Sequence, residues 1–331
     1  MSQLRLGYLY GLGAYALWGF MPLYIKLLLP TGAIEVLAHR VIWSVAVVAI
    51  VLFVVRGWRP LWRLAGRPAA LGAVALAAGL LAVNWGTYIY GVNTDRVVET
   101  ALGYFINPLV VVLLGVGVLG ERLRSAQWVA VGTGGAAVAV LTVDYGRVPY
   151  IALTLALSFA AYGLVKKRLG LPAAQGLFVE SAVLALPALG YVGWLAWRAE
   201  STFTTISPGH TALLVAAGVV TAIPLLFFAG AANRIPLTGL GMLQYLAPIL
   251  QLGCGVLIFH EPMPPARLAG FALVWVALTI FTIDGVRHAR GQARTRPLPA
   301  GPEQASPEPA SREQAALERT APEPATATAR S

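Results

Sequence analysis

Ionisable side chains occur inside the long apolar stretches of this sequence, where water is scarce. Glu35, His39 and Arg40 stand at the start of one apolar run, and fifteen residues without a charge follow them. Glu35 and His39 are four residues apart, so they share one face of a helix. Glu99 and Glu180 lie in two further apolar runs. Carboxylate, imidazole and guanidinium groups in such positions predict proton transfer or the binding of a polar solute.

A second group of candidates combines amide and hydroxyl groups with an aromatic surface. Asn84 and Tyr88 are four residues apart, and Trp85 is adjacent to that face. Such a combination suits a small amphipathic solute.

Two proline-containing helices are expected to add further contacts. The residues concerned are Tyr104, Asn107 and Pro108 in the first helix and Gln244, Tyr245 and Pro248 in the second. A proline break frees backbone carbonyls, which together with these side chains can contact a solute.

Each candidate also has a purely structural interpretation. Arg40 can extend its side chain to the lipid headgroups, and Glu35 suits the positive end of a helix. Glu180 can cap a helix at the interface, and Pro108 can form a kink whose freed groups are satisfied by neighbouring helices. The sequence leaves both interpretations open for these residues.

Motifs of enzymes and of nucleotide or metal sites give little support for catalysis. The segment GVGVLG (115–120) fits G-x-G-x-x-G, but it closes an apolar run instead of joining a strand to a helix. The chain has no Walker, H-E-x-x-H or G-x-S-x-G pattern, and its four histidines are scattered. No catalytic residue, metal or cofactor is predicted. An intramembrane enzyme or a membrane assembly factor remains the alternative to a transporter.

The composition indicates a membrane protein. The chain is 58% hydrophobic, 11% charged and has a mean hydropathy of +0.72, whereas soluble domains carry about 25% charged residues. A span needs about 20 apolar residues. Ten such helices are predicted, at 7–28, 34–55, 69–91, 97–119, 125–143, 148–166, 176–196, 209–230, 236–259 and 264–283. The first is interpreted as an uncleaved span, not as a signal peptide. Short connections predict that sequential helices are neighbours.

The distribution of basic residues predicts the orientation. With the N-terminus in the cytoplasm, most of the 24 Lys and Arg residues fall on the cytoplasmic side. Both termini are therefore expected to be cytoplasmic. The net charge of +10 is explained as an orientation signal, which excludes a nucleic-acid partner.

The sequence contains an internal repeat with a constant offset of 140 residues. The matched pairs are Asn93 with Asn233, Pro108 with Pro248, Gly115 with Gly255, Glu121 with Glu261, Thr142 with Thr282 and Asp144 with Asp284. A unit of five helices reverses orientation between its two copies, which is the arrangement of many alternating-access transporters. The predicted units are 1–146, 147–286 and a cytoplasmic tail, 287–331. The tail is rich in Pro, Ala and Glu and is expected to be disordered.

Several motifs resemble the drug/metabolite transporter superfamily, EamA type, and its RarD-like branch. They include WGFMPLYIK (18–26), EVLAHRVIWS (35–44), NWGTYIY (84–90), ETALGYFINPL (99–109) and LQYLAP (243–248). The resemblance implies an all-α permease of the inner membrane, with ten transmembrane helices in two inverted EamA repeats. Ala247 and Ile249 depart from the branch pattern and make the second half less polar.

Together, the residues and the resemblance predict a secondary transporter. Its partners are the lipid bilayer and a small organic metabolite or drug-like solute, and a homodimer is compatible with the sequence. Coupling to protons is expected to involve Glu35, Glu99 and Glu180. Glu99→Gln and His39→Ala are each expected to reduce transport while expression stays normal.

Overall fold

The structure is a computed structural model that describes residues 2–58, 61, 68–120, 122–171 and 173–295. The regular structure of these residues is entirely helical, which confirms the predicted all-α class. Some residues used in the sequence argument lie outside the described part. They are Glu121, the basic residues Arg59, Arg63 and Arg67, and the tail from 296 to 331.

Twelve helices are numbered here in chain order. They are α1 (Gln3–Gly19), α2 (Met21–Lys26), α3 (Ala33–Val54), α4 (Pro68–Asn93), α5 (Val97–Leu119), α6 (Ser125–Tyr145), α7 (Tyr150–Leu169), α8 (Ala173–Trp197), α9 (Pro208–Ala232), α10 (Leu237–Leu243), α11 (Leu246–Gly253) and α12 (Pro265–Thr295). A π-helical turn, Cys254–Ile258, continues α11. Helix α12 extends into the segment that the sequence assigned to the tail.

Nine helical stretches within the described residues are long and apolar enough to cross a membrane. The chain is a polytopic membrane protein, as predicted, with nine such stretches in place of ten. The predicted first span is divided at Phe20 into α1 and α2. Pro22 stands in the first turn of α2, and a proline has no N–H to continue the hydrogen-bond ladder of a preceding helix.

The loops fix which helix ends lie together. Lys26 pairs with Asp95 at 2.6 Å, and the Asn93 side chain donates to the Thr31 carbonyl at 3.3 Å. Arg147 reaches Glu99 at the start of α5. Helices α3, α5, α7 and α9 therefore begin at one end of the bundle, called the Arg147 end here. They finish at the opposite end, called the Lys166 end.

The helices pack mainly against partners from the other half of the chain. The extensive interfaces among the described helices include α1 with α9, α3 with α8 and α9, and α7 with α4 and α5. Sequential helices also contact each other, as predicted, for example α3 with α4 and α4 with α5, but these interfaces are smaller. A short loop joins only one end of a helix pair, and the apolar face of each helix selects the partner along its length.

The interfaces repeat when the two halves are exchanged. Under the 140-residue offset, α1, α3, α4 and α5 correspond to α7, α8, α9 and α10–α11. The α1–α9 interface then corresponds to α7–α4, and α1–α11 corresponds to α7–α5. The α3–α8 and α5–α11 interfaces each correspond to themselves. The order of packing thus follows the repeat seen in the sequence.

Two ion pairs join α6 to α12 at opposite ends of the bundle. At the Arg147 end, Arg267 Nε donates to Asp144 Oδ2 at 2.8 Å. At the Lys166 end, Arg124 Nε donates to Asp284 Oδ2 at 2.8 Å. Asp144 and Asp284 are the matched aspartates of the repeat. Each of them pairs with an arginine at the start of the other helix of the pair.

Candidate functional site

Arg40 is the centre of a buried polar cluster between helices of both halves. It is the eighth residue of α3, which places it about 10 Å along the helix from its start, and it is 8% exposed. Its Nε donates to Thr221 Oγ1 on α9 at 2.9 Å. Its guanidinium lies over the Trp85 ring of α4, 4.1 Å from the ring centre, as in a cation–π contact.

Three tyrosines complete the surroundings of Arg40. Tyr24, Tyr88 and Tyr104, from α2, α4 and α5, lie near its guanidinium. The Tyr88 and Tyr104 rings meet edge to face at 5.9 Å. The Tyr88 hydroxyl is buried without a hydrogen-bond partner among the described residues, and such a group is costly to leave unpaired.

Asn84 connects this cluster to the second half. Its amide nitrogen donates to the Leu155 carbonyl at 3.0 Å and to Ser158 Oγ at 3.1 Å, both on α7. Its carbonyl oxygen accepts from the Tyr104 hydroxyl at 3.4 Å. The buried amide therefore holds α4 against α7 and also orients Tyr104 in the cluster.

Glu35 lies outside the cluster and anchors a loop at the Arg147 end. It accepts hydrogen bonds from Ser201 Oγ at 2.9 Å and from the Thr202 backbone N–H at 2.8 Å. His39 stacks on Phe203 of the same loop, with ring centres 4.6 Å apart. Both His39 nitrogens are buried without a hydrogen-bond partner among the described residues.

Glu99 and Glu180 each form an ion pair, at opposite ends of the bundle. Glu99 accepts from Arg147 Nη2 at 2.7 Å and from the Ile151 N–H at 3.1 Å, which joins α5 to the start of α7. Glu180 accepts from Lys166 Nζ at 2.9 Å and 3.1 Å. The Tyr162 hydroxyl donates to Glu180 at 3.0 Å. Neither carboxylate contacts Arg40.

The predicted helix break at Pro108 is absent. Helix α5 runs through Pro108, because a proline removes one backbone donor while the rest of the ladder continues. Asn107 has a buried side-chain oxygen without a hydrogen-bond partner among the described residues. In the second half the helix is interrupted between α10 and α11, and Pro248 lies just inside α11.

The two polar residues at this interruption stay apart from the cluster. Gln244 is exposed, and Tyr245 packs against the apolar core that includes Phe105 and Phe271. The structure therefore brings together Arg40, Asn84, Trp85, Tyr88 and Tyr104 of the predicted site residues.

Sequence reasoning missed two members of the cluster, Thr221 and Tyr24. Thr221 is a single hydroxyl in an apolar helix, a weak signal, because its own bond to the Ala217 carbonyl is ordinary for a threonine in a helix. Tyr24 lies within the WGFMPLYIK motif, which carried the signal without indicating which residue mattered.

Sequence reasoning also gave no role to Glu261, which caps the start of α5. Its carboxylate accepts from the Val97 N–H at 2.5 Å and the Val98 N–H at 2.8 Å. Burial raises the pKa of Glu261 above its ordinary value of 4.5, and the two backbone bonds only partly offset that rise. The repeat offset singled out Glu261 but did not indicate a cap on another helix.

This raised pKa predicts how stability depends on pH. The folded state holds the Glu261 proton more tightly than the unfolded state, so the contribution of Glu261 to the free energy of unfolding falls as pH rises above 4.5. Glutamine does not titrate. Wild type is therefore expected to lose stability relative to Glu261→Gln between pH 4.5 and neutral pH. Melting curves of both proteins across this range test the prediction, and parallel profiles would contradict it.

Known proteins resemble this chain over most of its length. A protein named "Protein RarD" from Streptomyces exfoliatus is 56% identical over 301 residues, which cover 91% of this chain and 95% of the relative. Residues 5–143 match the EamA-like transporter family. The chain belongs to the RarD branch of this family.

More distant relatives agree with this assignment. "Uncharacterized transporter YojE" of Bacillus subtilis is 41% identical, over 87% of this chain and 97% of its own. "Chloramphenicol-sensitive protein RarD" of Pseudomonas aeruginosa is 31% identical with the same coverage, 87% and 97%. A solved crystal structure, at 21% identity, gives a TM-score of 0.53 and covers 85% of this chain and 99% of its own, which shows a shared fold alone.

Proposed function

We propose that this permease-like membrane protein is a secondary transporter, which moves a small organic solute across the cytoplasmic membrane by alternating access. The observation that carries the proposal is the position of the polar cluster. Arg40 and Trp85 come from the first half, and Thr221 comes from the second. Transporters built from repeats bind their solutes at the interface between the repeats, where a relative movement can expose the site to either side.

The ion pairs between α6 and α12 support a cycle in which some helices stay fixed and others move. Asp144–Arg267 and Arg124–Asp284 hold these two helices together at both ends. The cluster around Arg40 lies on other helices, α2, α3, α4, α5 and α9. In the proposed cycle α6 and α12 stay fixed to each other while the helices around the cluster move.

The proposal includes the orientation of the chain. The basic residues favour cytoplasmic termini, which would put the Arg147 end outside the cell and the Lys166 end inside. The two five-helix units, 1–146 and 147–286, would then have opposite orientations. Reporter tags at the two termini test this part, since signals from opposite faces of the membrane would contradict it.

Counterflow in proteoliposomes tests the transport activity. Vesicles that contain purified protein and an unlabelled solute are expected to take up the labelled form of that solute, without ATP. Protein-free vesicles provide the control. Failure to exchange any member of a panel of organic acids, amides, amines and antibiotics would contradict the proposed function.

We assign proton coupling to Glu180, which lies deeper along its helix than Glu35 and Glu99 do. It is the eighth residue of α8, whereas Glu35 and Glu99 are each third in their helices. Protonation of Glu180 would release Lys166 and Tyr162, and the movement of these groups offers a way to link a proton to the cycle.

A matched pair of variants tests this coupling. Glu180→Gln is expected to lose accumulation driven by a pH gradient while it keeps counterflow, because glutamine cannot be deprotonated. Glu200→Gln provides the control, since Glu200 is exposed and pairs with Arg198 in a loop. Accumulation by Glu180→Gln that responds to the gradient as wild type does would remove Glu180 from the coupling.

A further inference from the structure

The buried charge of Arg40 has no opposite charge beside it. No carboxylate of the described residues lies within 4.0 Å of its guanidinium, whose hydrogen bond goes to the neutral hydroxyl of Thr221. Among the buried glutamates, Glu99 and Glu180 each contact a cation, whereas Glu35 and Glu261 accept two or more hydrogen bonds each from hydroxyl or backbone N–H groups. A charge inside a membrane costs about 2.5–3.5 kcal/mol or more, so an unpaired one indicates a function.

The contacts of Arg40 leave one edge of the guanidinium open. Trp85 covers a face of the guanidinium plane, and Thr221 accepts from Nε. The described residues provide no acceptor for the two terminal nitrogens, and an arginine can only donate. Two parallel N–H groups on an open edge match the two oxygens of a carboxylate.

The repeat allows the charge at the position of Arg40 to be compared with the charge at the matched position of the second half. The residue 140 positions after Arg40 is Glu180, and the residue 140 positions after Lys26 is Lys166. In the second half this lysine neutralises Glu180. In the first half both positions are cationic, and Lys26 pairs with Asp95. Among the described residues, the first half therefore keeps one positive charge, that of Arg40, that no carboxylate neutralises.

The charge of Arg40 and the aromatic side chains around it define the class of ligand. One cation is neutralised by one negative charge, whereas a dianion would leave a net charge in the membrane interior. Trp85, Tyr88 and Tyr104 provide aromatic surface, and the Tyr88 hydroxyl remains available as a donor. The body of the ligand is therefore apolar or aromatic, and its polar end is a single acidic group.

We propose that the terminal nitrogens of Arg40 bind the carboxylate of a monoanionic organic acid whose apolar or aromatic body lies against Trp85 and Tyr88. This acid is the solute of the transporter, and that part rests on the proposed function. The binding itself does not require transport.

Binding measurements on ligands with one body and different end groups test the proposal. Purified full-length protein in nanodiscs of neutral lipid is titrated calorimetrically with phenylacetate, phenylacetamide, phenethylamine and phenylsuccinate, and with hexanoate as an aliphatic acid. The two monoanions are expected to bind more tightly than the amide, the amine and the dianion. Equal binding of the amide, or no binding of either monoanion, would overturn the proposal.

Substitutions of Arg40 identify the contact. Arg40→Met is expected to weaken phenylacetate binding by at least about 30-fold, since it removes charge-assisted hydrogen bonds. Arg40→Lys keeps the charge without the two parallel donors and is expected to weaken binding about tenfold. The control is Arg198→Met, at an exposed arginine that pairs with Glu200, which is expected to bind as wild type does.

Stability separates a binding role from a structural one. Arg40→Met leaves no buried carboxylate unpaired, so the ligand-free variant is expected to melt at or above the temperature of wild type. A variant that melts well below wild type and binds phenylacetate normally would overturn the proposal. Acid binding without counterflow would retain the site and contradict the proposed transport function instead.

Discussion

Gly218→Ala is expected to lower the free energy of unfolding by about 3 kcal/mol or more, because the added methyl group has no room. Gly218 lies on α9 where that helix crosses α3. A Cβ at this position would overlap the backbone carbonyl of Trp43 and would lie 2.9 Å from the Trp43 Cβ. A flexible side chain could move away, but the backbone of a packed helix cannot do so without separating the two helices.

The same substitution is expected to disturb the polar cluster. Thr221 is three residues after Gly218, and Arg40 is three residues before Trp43. The close approach at Gly218 therefore brings Arg40 and Thr221 within hydrogen-bond distance, at 2.9 Å. Separation of the helices would lengthen this bond, so solute binding should weaken together with stability.

A thiol-reactive dye provides the measurement. Cys254 is the one cysteine of the chain and is buried, so its modification on heating reports unfolding. Gly190→Ala in α8 is the control, because nothing lies within 4 Å of a Cβ placed there. Gly190→Ala should melt within a few degrees of wild type. Equal melting temperatures for both variants would contradict the close contact at Gly218.

The sequence predicted the elements better than their partners. Glycines at positions 120, 146 and 170 end α5, α6 and α7 with positive φ, as expected of glycine at helix ends. Helix lengths followed from apolar runs, which depend on local composition. Contacts depend on which surfaces fit, and no single-sequence pattern indicated that α3 would lie against α8 and α9.

In the candidate site, too, the sequence predicted which residues are buried but not which residues they contact. The free-energy cost of placing a charge inside the membrane identified Arg40 as a candidate functional residue. The sequence could not distinguish Arg40 from Glu99, whose charge is met by Arg147 from a loop 48 residues away. Pairing is a property of the folded chain, and it separates a charge that holds the fold from a charge that is available to a ligand.

Burial should also determine how much each ion pair contributes to stability. Arg267→Met is expected to lower the free energy of unfolding by about 3 kcal/mol, since it leaves Asp144 as an unpaired buried carboxylate. The side chains of this pair are only 14% and 7% exposed. The matched pair at the other end, Arg124–Asp284, is 38% and 17% exposed, so Arg124→Met should have a smaller effect.

An exposed pair completes the series. Arg198 and Glu200 are 49% and 47% exposed, and Arg198→Met should change stability by less than about 1 kcal/mol. Dye modification of Cys254 on heating ranks the three arginine variants under one condition. The expected order of destabilisation is Arg267, then Arg124, then Arg198. If Arg267→Met and Arg198→Met were equally stable, the Asp144 pair would not hold α6 against α12, and the fixed helix pair of the proposed cycle would lose its basis.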